Sequence, residues 1–226
     1  IRRFHCMVMI HSIPEKAMKL NRDAVANLAN AAVKLDCLLL HISTDYVFDG
    51  TSDHPYTEKD PTNPQSVYGR TKLEGEQAIK KSGCLYLIIR TAWLYSGYGH
   101  NFVKTISRLA SERDELNVVN DQWGTPTYAG DLAEAIIRIM ERDDLPELEG
   151  VYHFTNEGAC TWYDFAKEIV AITGAKCKVN PVTTGEYPSK AKRPAYSILD
   201  KTKIKETFDL EIRDWREALK SCMATF

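Results

Sequence analysis

No glycine precedes Gly50 in this 226-residue chain. A dinucleotide-binding fold ordinarily opens with a strand, a glycine-rich turn and a helix whose backbone amides approach a pyrophosphate closely. The residues before Gly50 offer no such turn, and no suitable strand-like run ends in the acidic residue that an adenosine ribose would require. The sequence therefore reads as one without the amino-terminal third of such a fold, either a fragment or a chain from which that part was lost. Six cysteines, at positions 6, 37, 84, 160, 177 and 222, lie far apart with no Cys-x-x-Cys pair. Cys37 and Cys84 begin strand-like runs, where cysteine behaves as a small hydrophobe. The pattern is weak ground for disulfides and reads as a reduced, cytoplasmic protein. Six scattered histidines provide no metal-ligand spacing, and His41, inside an apolar run, reads as a satisfied core residue. No apolar run approaches membrane-spanning length. A formal charge of -2 gives no general attraction to nucleic acid or acidic membranes. The opening Ile1-Arg-Arg-Phe-His-Cys-Met-Val-Met-Ile sets basic residues before a short apolar run. Ser12-Ile-Pro-Glu-Lys then leads directly into a helical pattern without a small-residue cleavage site, so a signal peptide is not expected.

What is present is an ordinary globular composition, 44% hydrophobic and 27% charged, in a chain long enough for one core with a smaller lobe. Ala17, Leu20, Ala24, Leu28 and Ala31 recur at three- and four-residue steps and predict a helix from Pro14 to Leu35. Leu38 to Ser43 is almost continuously apolar, as in a strand buried on both faces of a parallel sheet. A polar loop from Asp49-Gly50 through Pro55, Pro61 and Pro64 leads to a helix carrying Tyr68, and Leu85 to Thr91 is the next buried-strand candidate. Strand, helix and strand in that order imply a right-handed parallel crossover. Further helices are expected over 101–113, 131–140, 161–172 and 214–223, the third opened by a capping box of Thr161 and Asp164. Further strands are expected over 116–120, 151–155 and 178–182. Glu141 to Asp144 reads as the solvated end of a helix, Trp162, Tyr163 and Phe165 as packing, and Thr183 to Pro194 as a ligand-gripping loop. No internal repeat or low-complexity segment is found.

Tyr68 and Lys72 stand four residues apart and project from one helix face. Thr44 and Asp45 close the preceding apolar run. A hydroxyl at a strand end beside a Tyr-x-x-x-Lys helix can give a proton to a carbonyl next to a nicotinamide, the layout of a short-chain reductase. An isolated phenol, ionising near pH 10, donates reluctantly at neutral pH, so the nearby ammonium is expected to make it more acidic.

Ser43-Thr-Asp-Tyr-Val-Phe-Asp-Gly50, Val67-Tyr-Gly-Arg-Thr-Lys-Leu-Glu-Gly-Glu76 and Arg90-Thr-Ala-Trp-Leu-Tyr95 occur in order, followed by Asn120-Asp-Gln-Trp-Gly-Thr-Pro-Thr127 and Lys192-Arg-Pro194. From about residue 15 to its end, the chain resembles the dTDP-4-dehydrorhamnose reductases, which are extended short-chain dehydrogenases/reductases. Residues 1–14 do not resemble the matching family segment. Epimerase and dehydratase relatives resemble one another in carrying Asn where Trp93 stands and Gly-Pro where Ser-Gly stands, which separates this chain from them.

The resemblance implies an α/β fold, a Rossmann-like parallel sheet with a smaller α+β substrate-binding lobe. Residues 1–120 would form what remains of the dinucleotide-binding domain. Residues 121–226 would form mainly the lobe, interleaved with that core. It implies reduction of the C4 ketone of dTDP-6-deoxy-L-lyxo-4-hexulose to dTDP-L-rhamnose by NADPH or NADH, the segment that discriminates them not being in the sequence. Tyr68 would donate the proton, Lys72 would acidify it and hold the nicotinamide ribose, and Thr44 would bond the same carbonyl oxygen. Ser43 and Thr91 would join Tyr68 and Lys72 at the cofactor. Asp45, Tyr46 and Trp93 would line the sugar pocket. Asn101, Phe102, Gln122 and Arg193 would meet the nucleotide end. Plainer readings stand beside these: a turn-capping hydroxyl for Thr44, an Asx-type turn for Asp45, ordinary core for Trp93 and a surface ion pair for Arg193.

The family often forms dimers, sometimes with a divalent ion at the interface, and these residues establish neither. A non-catalytic alternative is the regulatory subunit of methionine adenosyltransferase, which resembles the same reductases. Thr44 argues against it, because that relative carries a different pair after the strand-end serine. A third reading is a polypeptide inactive for want of its cofactor half, with weak or no NADPH binding.

Overall fold

The computed structural model describes residues 4–6, 14–187 and 193–225. The opening residues 1–3 and 7–13, most of the run weighed as a signal peptide, lie outside them. So do residues 188–192 of the expected loop, among them Lys192 of the quoted Lys-Arg-Pro block. The chain runs through β1 (Phe4–Cys6), α1 (Pro14–Met18), a π-helical turn (Lys19–Asp23), α2 (Ala24–Lys34), β2 (Leu39–Thr44), α3 (Val67–Ser82) and β3 (Tyr86–Thr91). It continues through β4 (Leu94–Tyr95), α4 (Phe102–Glu112), β5 (Glu115–Val119), β6 (Trp123–Gly124), β7 (Thr127–Tyr128), α5 (Ala129–Met140) and β8 (Gly150–His153). The last elements are β9 (Cys160–Thr161), α6 (Trp162–Thr173), β10 (Lys178–Val182), α7 (Thr202–Phe208) and α8 (Trp215–Met223).

Strands β1, β2, β3 and β8 pair in that order, all in parallel. The expected parallel α/β architecture is therefore observed. The register sets His41 beside Ile88, Ser43 beside Arg90 and Thr44 beside Thr91. Because successive strand residues face opposite sides, the sheet has two different faces. Leu40, Ile42, Leu87 and Ile89 pack against Leu132 and Ile139 of α5 and Ile204 and Phe208 of α7. Leu39 and Ile88 pack against Val25 and Ala29 of α2 and Ile79 of α3. A second core is built from α4, α6 and α8, with Val103, Ile106, Phe165, Ile169, Trp215 and Leu219 buried in it. Beside it β5 and β10 pair in parallel. The capping box is present in both directions: Thr161 Oγ1 accepts from the Asp164 amide at 3.1 Å, and Asp164 Oδ2 accepts from the Thr161 amide at 3.0 Å.

The first helix differs from its reading as one regular element. It widens into a π-helical turn at Lys19–Asp23, and the extra residue brings Asn21 against α3. The amide of Asn21 donates to Thr71 Oγ1 at 3.1 Å, and that hydroxyl donates to the Tyr68 carbonyl at 3.0 Å. The Asn21 carbonyl lies where a side chain on Gly75 would be, and the Tyr46 carbonyl does the same at Gly69. Both glycines let α3 approach closely enough to fix its height. The short α7 went unpredicted because it is only 7 residues long, with Ile204 and Phe208 as its buried residues.

An ion pair fastens α3 to the sheet. Arg90 Nε donates to Glu76 Oε1 at 3.0 Å and Nη2 to Oε2 at 2.7 Å, with both side chains buried. Removing one partner strands the other charge in the interior, which typically costs about 3–5 kcal/mol, whereas replacing both with apolar groups costs much less. Glu76→Ala should therefore lower the unfolding free energy by about that amount, and Glu76→Met with Arg90→Met together should recover most of it. Equal losses in urea unfolding of the single and double variants would contradict this account.

Candidate active site

β2 ends at Thr44, whose extended backbone gives way to a 3-10 turn over Asp45–Val47. Thr44 Oγ1 accepts from the Tyr46 amide at 3.2 Å and donates to Asp45 Oδ1 at 2.8 Å. The capping chemistry of the plainer reading of Thr44 is thus present. It also turns the Asp45 carboxylate inward, where it is 3% exposed. Ser66 opens α3 by accepting from the Gly69 amide at 3.0 Å, which sets Tyr68 in the first turn. The Tyr68 ring meets Tyr46 edge-on, with centroids 5.7 Å apart, and its hydroxyl is hydrogen-bonded with Thr44. One turn further, Lys72 points into the seam between α3 and the sheet. Its Nζ donates to the Ile42 carbonyl at 2.6 Å and lies 3.2 Å from His41 Nε2.

The electrostatics of the phenol run opposite to the sequence expectation. Burial pushes Tyr68 well above its ordinary value, Asp45 and Tyr46 push the same way, and the Thr44 hydrogen bond opposes them. Tyr46 is raised to about 12, chiefly by burial and then by Asp45. Burial also lifts Asp45 to about 6, against the pull of hydroxyl hydrogen bonds from Thr44 and Ser197. The cluster holds its protons tightly because desolvation dominates each of its three acids.

The other expected residues separate into groups. A cavity of about 690 Å³ is bounded by Phe102, Ile106, Leu109, Val118, Trp162 and Arg193, among others. Arg193 also borders a hollow beside Gln122 and Thr184 and another beside Tyr46 and Ser66. Its guanidinium stands 5.6 Å over the Trp162 ring. Trp93 has a left-handed backbone (φ 47°) and stacks on Trp162 with centroids 3.5 Å apart. Gln122 Nε2 donates to Thr184 Oγ1 at 3.0 Å. Asn101 is spent on the fold: Oδ1 accepts from the Lys104 amide, capping α4, and Nδ2 donates to the Ser96 carbonyl at 2.7 Å. The Thr91 hydroxyl donates to Thr127 Oγ1 at 3.2 Å, joining β3 to β7. Ser43 Oγ is buried without a hydrogen-bond partner among the described residues. Tyr68 is not part of the large cavity wall, and its ring abuts Tyr46 instead.

Sequence reasoning overlooked one residue here. Trp162 was read as packing alone, yet it forms part of the cavity wall; its place directly after the Thr161 cap gives no sign of that. His41, expected to be a satisfied core residue, is one: it is buried, and its imidazole lies against Lys72. Its polar ring within an apolar strand was the only available signal of that contact.

Asp45 gives the stability a defined pH dependence. Its unfolded carboxyl ionises near 3.8 and the folded one near 6, so the native state binds the extra proton between those values. Stability is lost as pH rises through that window. Asp45→Asn should gain on the unsubstituted protein by on the order of 2–3 kcal/mol between about pH 4 and pH 7. A pH-independent difference in urea unfolding would show that Asp45 ionises normally.

Comparison with known proteins places this chain in a family. The RmlD substrate binding domain profile matches residues 8–226. A curated dTDP-4-dehydrorhamnose reductase from Sinorhizobium fredii is 44% identical over 216 residues, spanning 92% of this chain and 73% of that protein. A crystal structure of a dTDP-4-dehydrorhamnose reductase from Clostridium acetobutylicum superposes with a TM-score of 0.88 at 47% identity, covering 94% of this chain and 74% of that one. The Bacillus anthracis dTDP-4-dehydrorhamnose reductase, crystallised in complex with NADP, gives the same TM-score at 39% identity over the same shares. With both the profile and these relatives spanning nearly all of its length, the chain belongs to the dTDP-4-dehydrorhamnose reductase family.

Proposed function

We propose that this chain acts as a dTDP-4-dehydrorhamnose reductase, converting the C4 ketone of dTDP-6-deoxy-L-lyxo-4-hexulose to the alcohol of dTDP-L-rhamnose. The observation that carries the reading is the meeting of the Thr44 and Tyr68 hydroxyls at the carboxyl end of β2, with Lys72 one turn along the same helix. A ketone oxygen seated there would face two hydroxyl groups. Tyr68 is held firmly as the neutral phenol, the form that can donate. Its raised pKa is no obstacle to a late transfer, since an alkoxide is far more basic than a phenolate and draws the proton as charge accumulates. Thr44 would hydrogen-bond the same oxygen and stabilise that charge.

NADP(H) supplies the hydride when bound. The residues at the strand end fit its nicotinamide half: Ser43 offers a buried hydroxyl without a partner among the described residues, and Tyr68 and Lys72 offer a phenol and an ammonium. Thr91, expected to join them, has its hydroxyl engaged with Thr127. Asp45, Tyr46 and Trp93 would hold the sugar. Arg193, which borders the hollows on both sides, suits a diphosphate running between them. The cavity beyond, with Phe102 and Trp162 on its wall, would take the thymidine, while Gln122 would steady the adjoining loop through Thr184. Residues 1–120 would carry the dinucleotide side and residues 121–226 mainly the substrate side.

Among the described residues no helix is long and apolar enough to cross a membrane, and the cysteines at 37, 84, 160, 177 and 222 are unpaired. We read a cytoplasmic enzyme that handles a nucleotide sugar, with no nucleic-acid partner. Supplied with NADPH and the 4-keto sugar, Tyr68→Phe should lower kcat by about 10²–10⁴-fold while leaving the affinity for dTDP within about twofold. NADPH consumption and dTDP titration measure the two effects. Undiminished turnover in Tyr68→Phe would remove the mechanism.

A further inference from the structure

On the α3-facing side of β2, Leu39 packs into the apolar seam formed by Ile79 and Ile88. Two residues on, the same face carries His41, which is paired in register with Ile88 and only 2% exposed. Packing alone would favour another aliphatic side chain at that position. Above it lies Lys72, also 2% exposed. A lysine stem has four methylenes and ordinarily carries its charge outward to water. Here the stem turns inward, and Nζ is held at 2.6 Å by the Ile42 carbonyl and at 3.2 Å by His41 Nε2.

An ammonium group only donates hydrogen bonds, so an imidazole can answer it only through a nitrogen that carries no proton. The contact therefore requires a neutral His41 with its proton on Nδ1. Burying a cation is costly unless acceptors replace the water it loses, and His41 is one of the acceptors that do so. Ile42 and His41 are consecutive residues of one strand. Together they grip the amine from a backbone atom and a side-chain atom, fixing both the depth and the direction of Nζ.

We propose that His41 is a positioning residue for the reductase reaction, an acceptor that seats the Lys72 ammonium at the strand end beneath Tyr68. The proposal rests on the roles assigned to Lys72 and Tyr68 above. A leucine at position 41 would fill the same space and leave the ammonium short of an acceptor. A glutamine would supply a neutral acceptor with a different reach.

The test uses two readouts on His41→Leu and His41→Gln. The first is proton exchange at Nζ of Lys72, followed by NMR on lysine-labelled protein and assigned with Lys72→Arg; it needs no turnover. His41→Leu should speed this exchange by about tenfold or more, and His41→Gln by less. The second is steady-state reduction of the 4-keto sugar by NADPH. There His41→Leu should lower kcat by about 10–100-fold with KM for the dTDP-sugar within about twofold, and His41→Gln should restore part of the loss. Unchanged Nζ exchange in both variants, or unchanged kcat in a folded His41→Leu protein, would overturn the proposal. Should His41→Leu fail to fold, the same two measurements on His41→Met, which also removes the imidazole acceptor, decide the matter, with unchanged exchange or unchanged kcat again overturning it. If the unsubstituted protein binds NADPH yet reduces no ketone, the reductase reading fails, and the exchange measurement still decides whether His41 seats Lys72.

Discussion

The seam between α3 and the parallel sheet contains two buried cations and a buried carboxylate, and the geometry of the site follows from how they are satisfied. Glu76 receives both arms of Arg90, which sets the helix at a defined height above β3. Gly69 and Gly75 permit that height by yielding space to the carbonyls of Tyr46 and Asn21. Lys72, one turn before Glu76, then reaches His41 and Ile42 of β2. Tyr68, a turn earlier again, is brought to Thr44. Bidentate geometry constrains position and angle at once, so the placement of the phenol relative to the strand is a consequence of an ion pair two turns away.

Desolvation is the leading influence on the acids in this cluster. Asp45, Tyr46 and Tyr68 are all raised, with burial the leading cause in each. The arrangement favours the protonated forms and makes each ionisation depend on the others, since every negative charge formed there opposes the next. A proton donor built this way gives up its proton to a strong base arriving at the site and keeps it from solvent. The charge on Asp45, adjacent in sequence to the strand-end threonine, adjusts how tightly the proton is kept.

Much of this could be read from the residues. The apolar runs ending at Thr44 and Thr91 announced two central strands, because so continuous an apolar run belongs in a sheet covered on both faces. The four-residue spacing of Tyr68 and Lys72 fixed their common helix face. Thr161 and Asp164 marked the start of a helix by their likeness to a capping box, with Asp in place of Glu. What escaped notice depends on contacts between distant segments. The π-helical turn answers the proximity of Gly75, which lies more than fifty residues further along the chain. Lys72 turns inward because a carbonyl and an imidazole await it on another element, and propensity does not encode that. The phenol's acidity depends first on burial and then on Asp45, Tyr46 and Thr44, which the four-residue spacing to a lysine does not reveal. Asn101 and Thr91 have side chains suited to ligands, yet the fold uses them for a cap and a strand-to-strand bridge.

Trp93 and Trp162 lie face to face at 3.5 Å, with 11° between their planes. Two indoles so close share their electronic transitions and behave optically as one coupled chromophore. One belongs to the turn after β3, the other to the start of α6, and a guanidinium borders the second. Any change in how those segments meet alters the coupling, so the junction of the two cores carries a built-in spectroscopic signature of its own closure.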